Sequence, residues 1–150
     1  MQDTKIRFLK EAMAAAGMRF GDAIPLLLTG NGGEFSNVAA FGKGVDGEAQ
    51  TKMFFCGPCR SSQKPRVEKN HTLFRDIVPK GESFDGFSQE AANLVFSHVN
   101  SVKRKILSGK TRCELFVFTY GDRLVAVLGV RPIPAADVVQ SPLLLKNKAK

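Results

Sequence analysis

Apolar residues recur at helical spacing in two stretches of the chain. From Ser88 to Leu107 the apolar positions follow the i, i+3, i+4, i+7 rule, which predicts one long amphipathic helix. Residues 3–17 repeat this pattern over a shorter stretch, with Gly17 as the expected stop. At least two amphipathic helices are therefore expected.

The first half of the chain also contains a pair of apolar runs with a turn between them. The run 23–29 is followed by the turn-forming Gly30-Asn31-Gly32-Gly33, and apolar character resumes over residues 35–41. This arrangement is typical of a β-hairpin. Residues 52–56 are expected to add a short strand.

A second hairpin is predicted near the carboxyl end. The runs 115–119 and 123–130 are rich in Val, Leu and Phe and are joined by Tyr120-Gly121-Asp122. Because hairpins require antiparallel pairing, the expected fold class is α+β, an antiparallel β-sheet with the long amphipathic helix packed across one face. The helix positions expected to face the sheet are Leu94, Val95, Val99, Val102 and Ile106.

The composition fits one globular domain, since 43% of the 150 residues are apolar and a chain of this length buries about two-thirds of its unfolded surface. We predict a single α+β domain over residues 1–142 and a basic mobile tail over residues 143–150. The polar segment 57–70 is expected to be a surface excursion, and residues 71–78 a brief helix or strand closed by Pro79. No apolar run approaches the length of a membrane span, which predicts a cytoplasmic protein.

Positive charge is concentrated in particular segments. The net charge is +8, residues 60–80 hold six basic and two acidic side chains, and residues 103–112 hold five basic side chains and no acidic one. Clustered cations attract nucleic acids by releasing their counterions, although a solvated basic face can also serve solubility alone. The candidate nucleic-acid-binding residues are Arg60, Lys64, Arg66, Lys69, Lys103, Arg104, Lys110 and Arg112.

The segment Cys56-Gly57-Pro58-Cys59 resembles the redox motif of thioredoxins. The resemblance implies that Cys56 is a nucleophile and Cys59 a resolving thiol, with the pKa of one thiol lowered at a helix start. The same pair supplies half of a tetrahedral zinc site, for which His71 and Cys113 are the candidate remaining ligands. A purely structural role is the third alternative, and no cofactor is otherwise expected.

The segment Asn70-His71-Thr72-Leu73-Phe74-Arg75-Asp76-Ile77-Val78-Pro79 resembles part of the PAS domains of the photoactive yellow protein type. Residues 20–40 are similar to the opening hairpin of such a domain, and Phe116 to Val130 are similar to its closing strands. The order of the predicted elements also resembles roadblock and profilin-like modules, which act as partner-binding platforms. The PAS resemblance implies a ligand cavity between sheet and helices, with candidate lining residues Phe74, Phe87, Phe96, Phe116 and Phe118.

These observations leave more than one function open. The leading hypothesis is a small non-enzymatic regulatory or interaction domain that binds a partner protein or a small ligand. The alternatives are a basic nucleic-acid-binding protein and a thiol oxidoreductase or zinc protein that uses the Cys56–Cys59 pair. We expect a protein partner and no membrane contact, with nucleic acid or a second copy of the chain as the alternative partners.

Overall fold

The computed structural model describes residues 2–57 and 65–146, which belong to two compact units. Unit 1 is Met1–Lys64 and unit 2 is Pro65–Lys150. The described residues mix helix and strand, as the α+β class requires, but helices dominate. None of the helices in these described ranges is long and apolar enough to cross a membrane.

The first predicted helix is confirmed as α1, which spans Gln2–Ala15. Gly17 follows it with φ +79°, a left-handed conformation that glycine adopts without steric cost. The N–H groups of Gly17 and Met18 donate to the carbonyls of Ala14 and Met13, each at 2.9 Å. These two bonds form a Schellman motif and satisfy carbonyls that the helix end would otherwise leave unpaired.

The predicted first hairpin is wrong, because the two strands of unit 1 pair in parallel. Strand β1 spans Leu26–Thr29 and strand β2 spans Lys52–Phe55, with Leu26 opposite Lys52 and Thr29 opposite Phe55. Parallel neighbours need a crossover rather than a tight turn, and residues 30–51 supply it. The short strand predicted at 52–56 is thereby confirmed, whereas the antiparallel sheet is not formed among the described residues.

Helical turns occupy the crossover where the sequence pattern predicts a strand. A single 3-10 turn spans Gly33–Phe35, and helix α3 spans Val38–Gly42. The side chain of Asn37 accepts a hydrogen bond from the N–H of Ala40 at 3.1 Å, and so caps α3. An Asn cap stabilises the start of a helix, which explains why this apolar run is helical.

A buried lysine ties α1 to the rest of unit 1. Lys10 is 7% exposed, and its Nζ donates to the backbone carbonyls of Ala40 and Lys43. The same ammonium group lies 5.2 Å from the ring centroid of Phe20, in the short helix α2, which spans Phe20–Ala23. Burial lowers the pKa of Lys10, and the carbonyl and ring contacts provide the partners that a buried ammonium group requires.

The described part of unit 2 contains helices and connecting segments but no strand. Its core is formed by the buried side chains of Ile77, Val78, Val95, Val99 and Leu144. Leu144 lies in a helix within the segment predicted to be a mobile tail. The helices are α4, Pro65–Ile77; α5, Gln89–Asn100; α6, Arg112–Tyr120; α7, Asp122–Val127; and α8, Leu143–Lys146.

The long predicted helix begins where expected but ends early. Ser88 caps α5, since its Oγ accepts a hydrogen bond from the N–H of Ala91 at 3.2 Å. The helix ends at Asn100, and the N–H of Ser101 donates to two carbonyls of the last turn. Val95 and Val99 are buried as predicted, but Ile106 is 79% exposed and lies in a separate 3-10 turn. The predicted apolar face is therefore buried at its centre and exposed at Ile106. Its buried residues pack against α4 and α8, and not against a β-sheet as predicted.

The predicted second hairpin is also wrong, since both of its runs are helical. Thr111 caps α6: its hydroxyl accepts from the N–H of Glu114 at 3.0 Å, and the Glu114 carboxylate accepts from the N–H of Thr111 at 2.7 Å. This reciprocal capping box stabilises a helix start by local hydrogen bonds and outweighs the strand preference of the Val and Phe residues. Gly121, with φ +82°, separates α6 from α7. The closing strands that the PAS resemblance implies at residues 116–130 are therefore absent.

The surface excursion predicted for residues 57–70 is wrong for residues 65–70. Residues 65–70 belong to α4, in which Pro65 is the first residue. Proline is well tolerated there, because the first N–H groups of a helix have no partner within it. Residues 71–77 continue the same helix, and Pro79 follows its end as the sequence predicts.

Candidate nucleic-acid interface

A groove of about 650 Å³ lies in unit 2, between side chains from α4, α6 and the loop that joins α5 to α6. We call it the basic groove because three of its lining side chains are cationic and no carboxylate lines it among the described residues. The remaining lining side chains are apolar, aromatic or hydroxyl-bearing. The basic groove is lined by Lys69, Arg104, Ile106, Leu107, Arg112, Leu115, Phe116, Thr119 and Tyr120.

The loop that carries Arg104 is closed by backbone hydrogen bonds. We call residues 104–110 the basic loop. The N–H of Arg104 donates to the carbonyl of Lys110 at 3.1 Å, and the N–H of Gly109 donates to the carbonyl of Arg104 at 3.0 Å. Ser108 and Gly109 both have positive φ, which allows the chain to reverse within a few residues. These bonds fix the backbone of Arg104 at the edge of the basic groove.

The guanidinium group of Arg104 is only partly satisfied by the protein. Its Nη2 donates to Oδ1 of Asn70, from α4, at 3.4 Å. Its Nε is buried and has no hydrogen-bond partner within the described ranges. A buried N–H without an acceptor costs free energy, so Arg104 is held in this position at some cost to the stability of the protein.

Arg112 is the first residue of α6, and the capping box around Thr111 fixes its position. Hydrogen bonds from Thr111 lower the pKa of Glu114, with smaller contributions from Lys103 and Lys110. Glu114 is consequently ionised at neutral pH and partly offsets the charge of those two lysines. Glu114 does not line the basic groove, so the three groove cations face no carboxylate there among the described lining residues.

Two aromatic rings form part of the groove wall. Phe116 and Tyr120 are four residues apart on α6, and their ring centroids lie 4.8 Å apart with the planes tilted by 55°. Side chains at this spacing are neighbours on one helical face. The sequence analysis missed Tyr120 because it placed this residue in a hairpin turn. The Thr111-x-x-Glu114 capping box is the sequence signal that would have placed Tyr120 on a helix.

The eight residues predicted to bind nucleic acid do not all line the basic groove. Lys69, Arg104 and Arg112 line the basic groove, although the first and the last are 43 positions apart in the sequence. Lys103 and Lys110 are exposed but do not line it. Arg66 lies within α4. The other two predictions, Arg60 and Lys64, fall outside the described residues.

A smaller apolar pocket of about 240 Å³ lies beside Cys113. Phe116, Val125 and Leu128 contribute to its lining. Cys113 is buried, and burial raises the pKa of its thiol, with a further contribution from Glu114. A thiol with a raised pKa is protonated at neutral pH and is a poor nucleophile or metal ligand.

The structure tests the Cys56–Cys59 hypotheses only in part. Cys56 is buried at the end of β2, where its N–H donates to the carbonyl of Thr29 at 2.8 Å and its carbonyl accepts from the side chain of Asn31 at 3.1 Å. Cys59 lies outside the described residues, and His71 is exposed on α4. Within the described ranges, no three His, Cys, Asp or Glu side chains form a group that could hold a metal ion. The redox and zinc hypotheses stay predictions.

The five phenylalanines predicted to line one ligand cavity do not all meet: Phe74, Phe87 and Phe96 are linked by ring contacts, in part through Phe84, but Phe116 and Phe118 are not among them. Phe74 contacts Phe96, with 5.8 Å between ring centroids, whereas Phe116 lies in the basic groove. Phe87 packs against the core of unit 2. Phe118 is 89% exposed on α6 and therefore lines no cavity. The prediction placed the cavity between helices and a β-sheet, but the residues expected to form that part of the sheet form the helices α6 and α7.

Comparison with known proteins gives one partial match. No family model and no solved structure match the chain. A stretch of 69 residues is 30% identical to a protein of Spiroplasma virus SpV1-R8A2 B that is named "Putative integrase ORF3". The stretch covers 46% of the chain but 21% of the viral protein, so the chain spans about a fifth of the length of the relative it matches.

Proposed function

We propose that unit 2 binds nucleic acid through the basic groove. The observation that carries the proposal is the convergence of Lys69 from α4, Arg104 from the basic loop and Arg112 from α6 on one groove. Three separate elements supply these cations, so the cluster is a product of the fold rather than of a local charge run. Electrostatic repulsion among them would be relieved by a bound polyanion.

The chemistry of the side chains fits phosphate. A guanidinium group offers planar, paired N–H donors that match two phosphate oxygens, and the groove contains two such groups. The net charge of +8 adds a long-range attraction that brings a polyanion toward the protein.

The partial similarity to a protein named as an integrase points in the same direction, toward DNA. It supports a class of ligand and no catalytic role. The regulatory and protein-binding hypotheses from the sequence remain predictions. Among the described residues, the basic groove favours nucleic acid over an acidic protein because it combines two guanidinium groups with aromatic rings.

A salt titration of binding tests this function. Fluorescence anisotropy of labelled DNA would be measured with the wild-type chain and with the Arg104→Gln, Arg112→Gln double variant. We expect the variant to bind more weakly than the wild type. The slope of log affinity against log salt concentration should decrease in magnitude by about 2, because about one phosphate contact is lost per arginine.

The matched control is Lys80→Gln with Arg123→Gln, which removes the same charge from exposed positions that do not line the basic groove. We expect this control to keep the wild-type slope. Equal losses in the two double variants would show that net charge rather than the groove determines binding. No binding of any nucleic acid at low salt would refute the proposal.

A further inference from the structure

We infer that the ligand of the basic groove is a single-stranded nucleic acid, with one unpaired base stacked on Tyr120. This inference rests on the proposed function and specifies its ligand. Three features of the groove carry it: the mixture of cations and aromatic rings, the size of the groove, and the way Tyr120 is held.

The first feature is the chemical character of the groove wall. A duplex presents phosphates and sugars outward and encloses the flat faces of its bases, so a surface that binds it is charged and polar. The basic groove instead places Leu115, Phe116 and Tyr120 beside its cations. An unpaired base offers a flat apolar face to such rings, whereas a duplex would cover them with polar backbone.

The second feature is size. A concave volume of about 650 Å³ is in the range of small-molecule sites, about 300–1,000 Å³. A nucleotide can enter such a groove with its base and its phosphate. A duplex can lie only across the mouth, where it would leave the inner wall uncovered.

The third feature is the position of Tyr120 relative to the phosphate-binding groups. Its ring is held next to Phe116, four residues earlier on the same helix, at 4.8 Å between centroids. Arg112 is two turns before Tyr120 on α6, and Arg104 is held against α4 by its bond to Asn70. Ring and guanidinium groups thus line one groove from rigid helices and a closed loop, which lowers the entropy lost on binding.

At the tip of the basic loop, Ile106 adds apolar surface to the groove. It is 79% exposed although it is a large aliphatic residue. A neighbouring base or sugar of the same strand would cover it. A strand that passes through the groove would therefore contact cations and apolar groups in alternation, as single-strand-binding sites do.

The chain provides its own spectroscopic probe for the stacked base. Tyr120 is the one tyrosine, and the sequence has no tryptophan, so the tyrosine emission of the full chain reports on this ring alone. The probes are a short oligothymidylate, a short oligouridylate and a mixed-sequence DNA duplex of equal length. We expect both single strands to quench the emission of Tyr120, with saturation at the concentration at which labelled strand is fully bound.

Substitutions separate stacking from charge. We expect Tyr120→Leu to weaken single-strand binding about tenfold, because one stacked base is lost, and Tyr120→Phe to retain the wild-type affinity. Phe118→Leu is the matched control, since Phe118 is an exposed aromatic residue on α6 that does not line the groove. It should bind as the wild type does. The duplex should bind about tenfold more weakly than either single strand.

The outcomes distinguish this inference from the proposed function. Binding of strand without a change in tyrosine emission, equal or tighter binding of the duplex, or equal losses in Tyr120→Leu and Tyr120→Phe would overturn single-strand stacking and leave nucleic-acid binding intact. A preference for oligouridylate over oligothymidylate would support RNA as the natural strand, and the reverse would support DNA. No binding of any probe at low salt would refute both proposals.

Discussion

The Nδ1 atom of His98 accepts a hydrogen bond from the backbone N–H of Val139 at 3.0 Å. His98 is 5% exposed, on the buried face of α5. The donor belongs to a segment that contains Pro132 and Pro134 and forms only a single 3-10 turn, so few of its N–H groups are paired within the segment. A buried side chain of a neighbouring helix supplies the acceptor instead.

Two serines repeat this arrangement: Ser97, within α5, and Ser101, which directly follows the last residue of α5. The Oγ of Ser97 accepts from the N–H of Arg131 at 3.0 Å, and the Oγ of Ser101 accepts from the N–H of Ile133 at 2.9 Å. We call Ser97, His98 and Ser101 the polar ladder. It attaches the segment 131–139 to α5, so buried polar positions within an apolar helix pattern have a structural role here.

Replacing a serine of the polar ladder should destabilise unit 2. Ser101→Ala leaves the N–H of Ile133 without its acceptor, which we expect to cost about 1–3 kcal/mol in the free energy of unfolding. Urea denaturation followed by circular dichroism measures this. Ser83→Ala, at an exposed position, should change stability by no more than about 0.5 kcal/mol. Equal stabilities of the two variants would contradict the ladder.

Acidification should weaken the polar ladder at His98. Burial lowers the pKa of His98, and the charge of Arg131 lowers it further. The folded state therefore binds a proton at His98 less readily than the unfolded state, in which a histidine side chain has a pKa of about 6.5. The contribution of neutral His98 to the free energy of unfolding is therefore fully present above the pKa of the unfolded state. It is lost as the pH falls through the lower pKa of the folded state. Protonation also removes the lone pair with which Nδ1 accepts from Val139.

The variant His98→Asn tests this pH dependence. An asparagine side chain places an oxygen acceptor close to the position of Nδ1 and does not titrate. We expect the fall in melting temperature between about pH 7 and pH 5 to be smaller in His98→Asn than in the wild type. An unchanged dependence in His98→Asn would show that another group is responsible.

Which elements could be predicted from the sequence depends on where their signals lie. Helix α1 and the start of α5 were predicted because Gly17 and Ser88 are local stop and start signals within a helical apolar pattern. The two hairpins were predicted wrongly because glycine-rich turns follow strands and helices alike. The local signals that favour helix are Asn37, which lies within the apolar run 35–41, and Thr111, which lies four residues before the run 115–119.

The sequence predicted the residues of the basic groove only in part. Clustering of charge identified Lys69, Arg104 and Arg112 as candidates, and these three line the groove. The pattern did not distinguish them from Lys103 and Lys110, because adjacent residues of a loop point in directions that depend on tertiary packing. Sequence proximity therefore identified the charged segments, and the fold determined which side chains meet.

The capping box of α6 should contribute measurably to stability. Thr111→Ala removes the acceptor for the N–H of Glu114, and we expect a loss of about 1 kcal/mol in the free energy of unfolding. Thr111→Ser keeps the hydroxyl and should retain most of the wild-type stability. Thr119→Ala removes a threonine hydroxyl from the other end of the same helix and should cost less. If Thr111→Ser is as unstable as Thr111→Ala, packing of the methyl group and not capping would be responsible.

Val99 and Ile106 test the boundary between core and surface, because the sequence pattern places both on one apolar face. Val99 is 4% exposed in the core of unit 2, whereas Ile106 is 79% exposed at the tip of the basic loop. Val99→Asp buries a charge without a partner and should cost about 3 kcal/mol or more in the free energy of unfolding. Ile106→Asp keeps its charge in water and should change stability by no more than about 0.5 kcal/mol. Thermal and urea denaturation of the two variants give the comparison, and similar losses in both would mean that the helix continues to Leu107 as the sequence predicted.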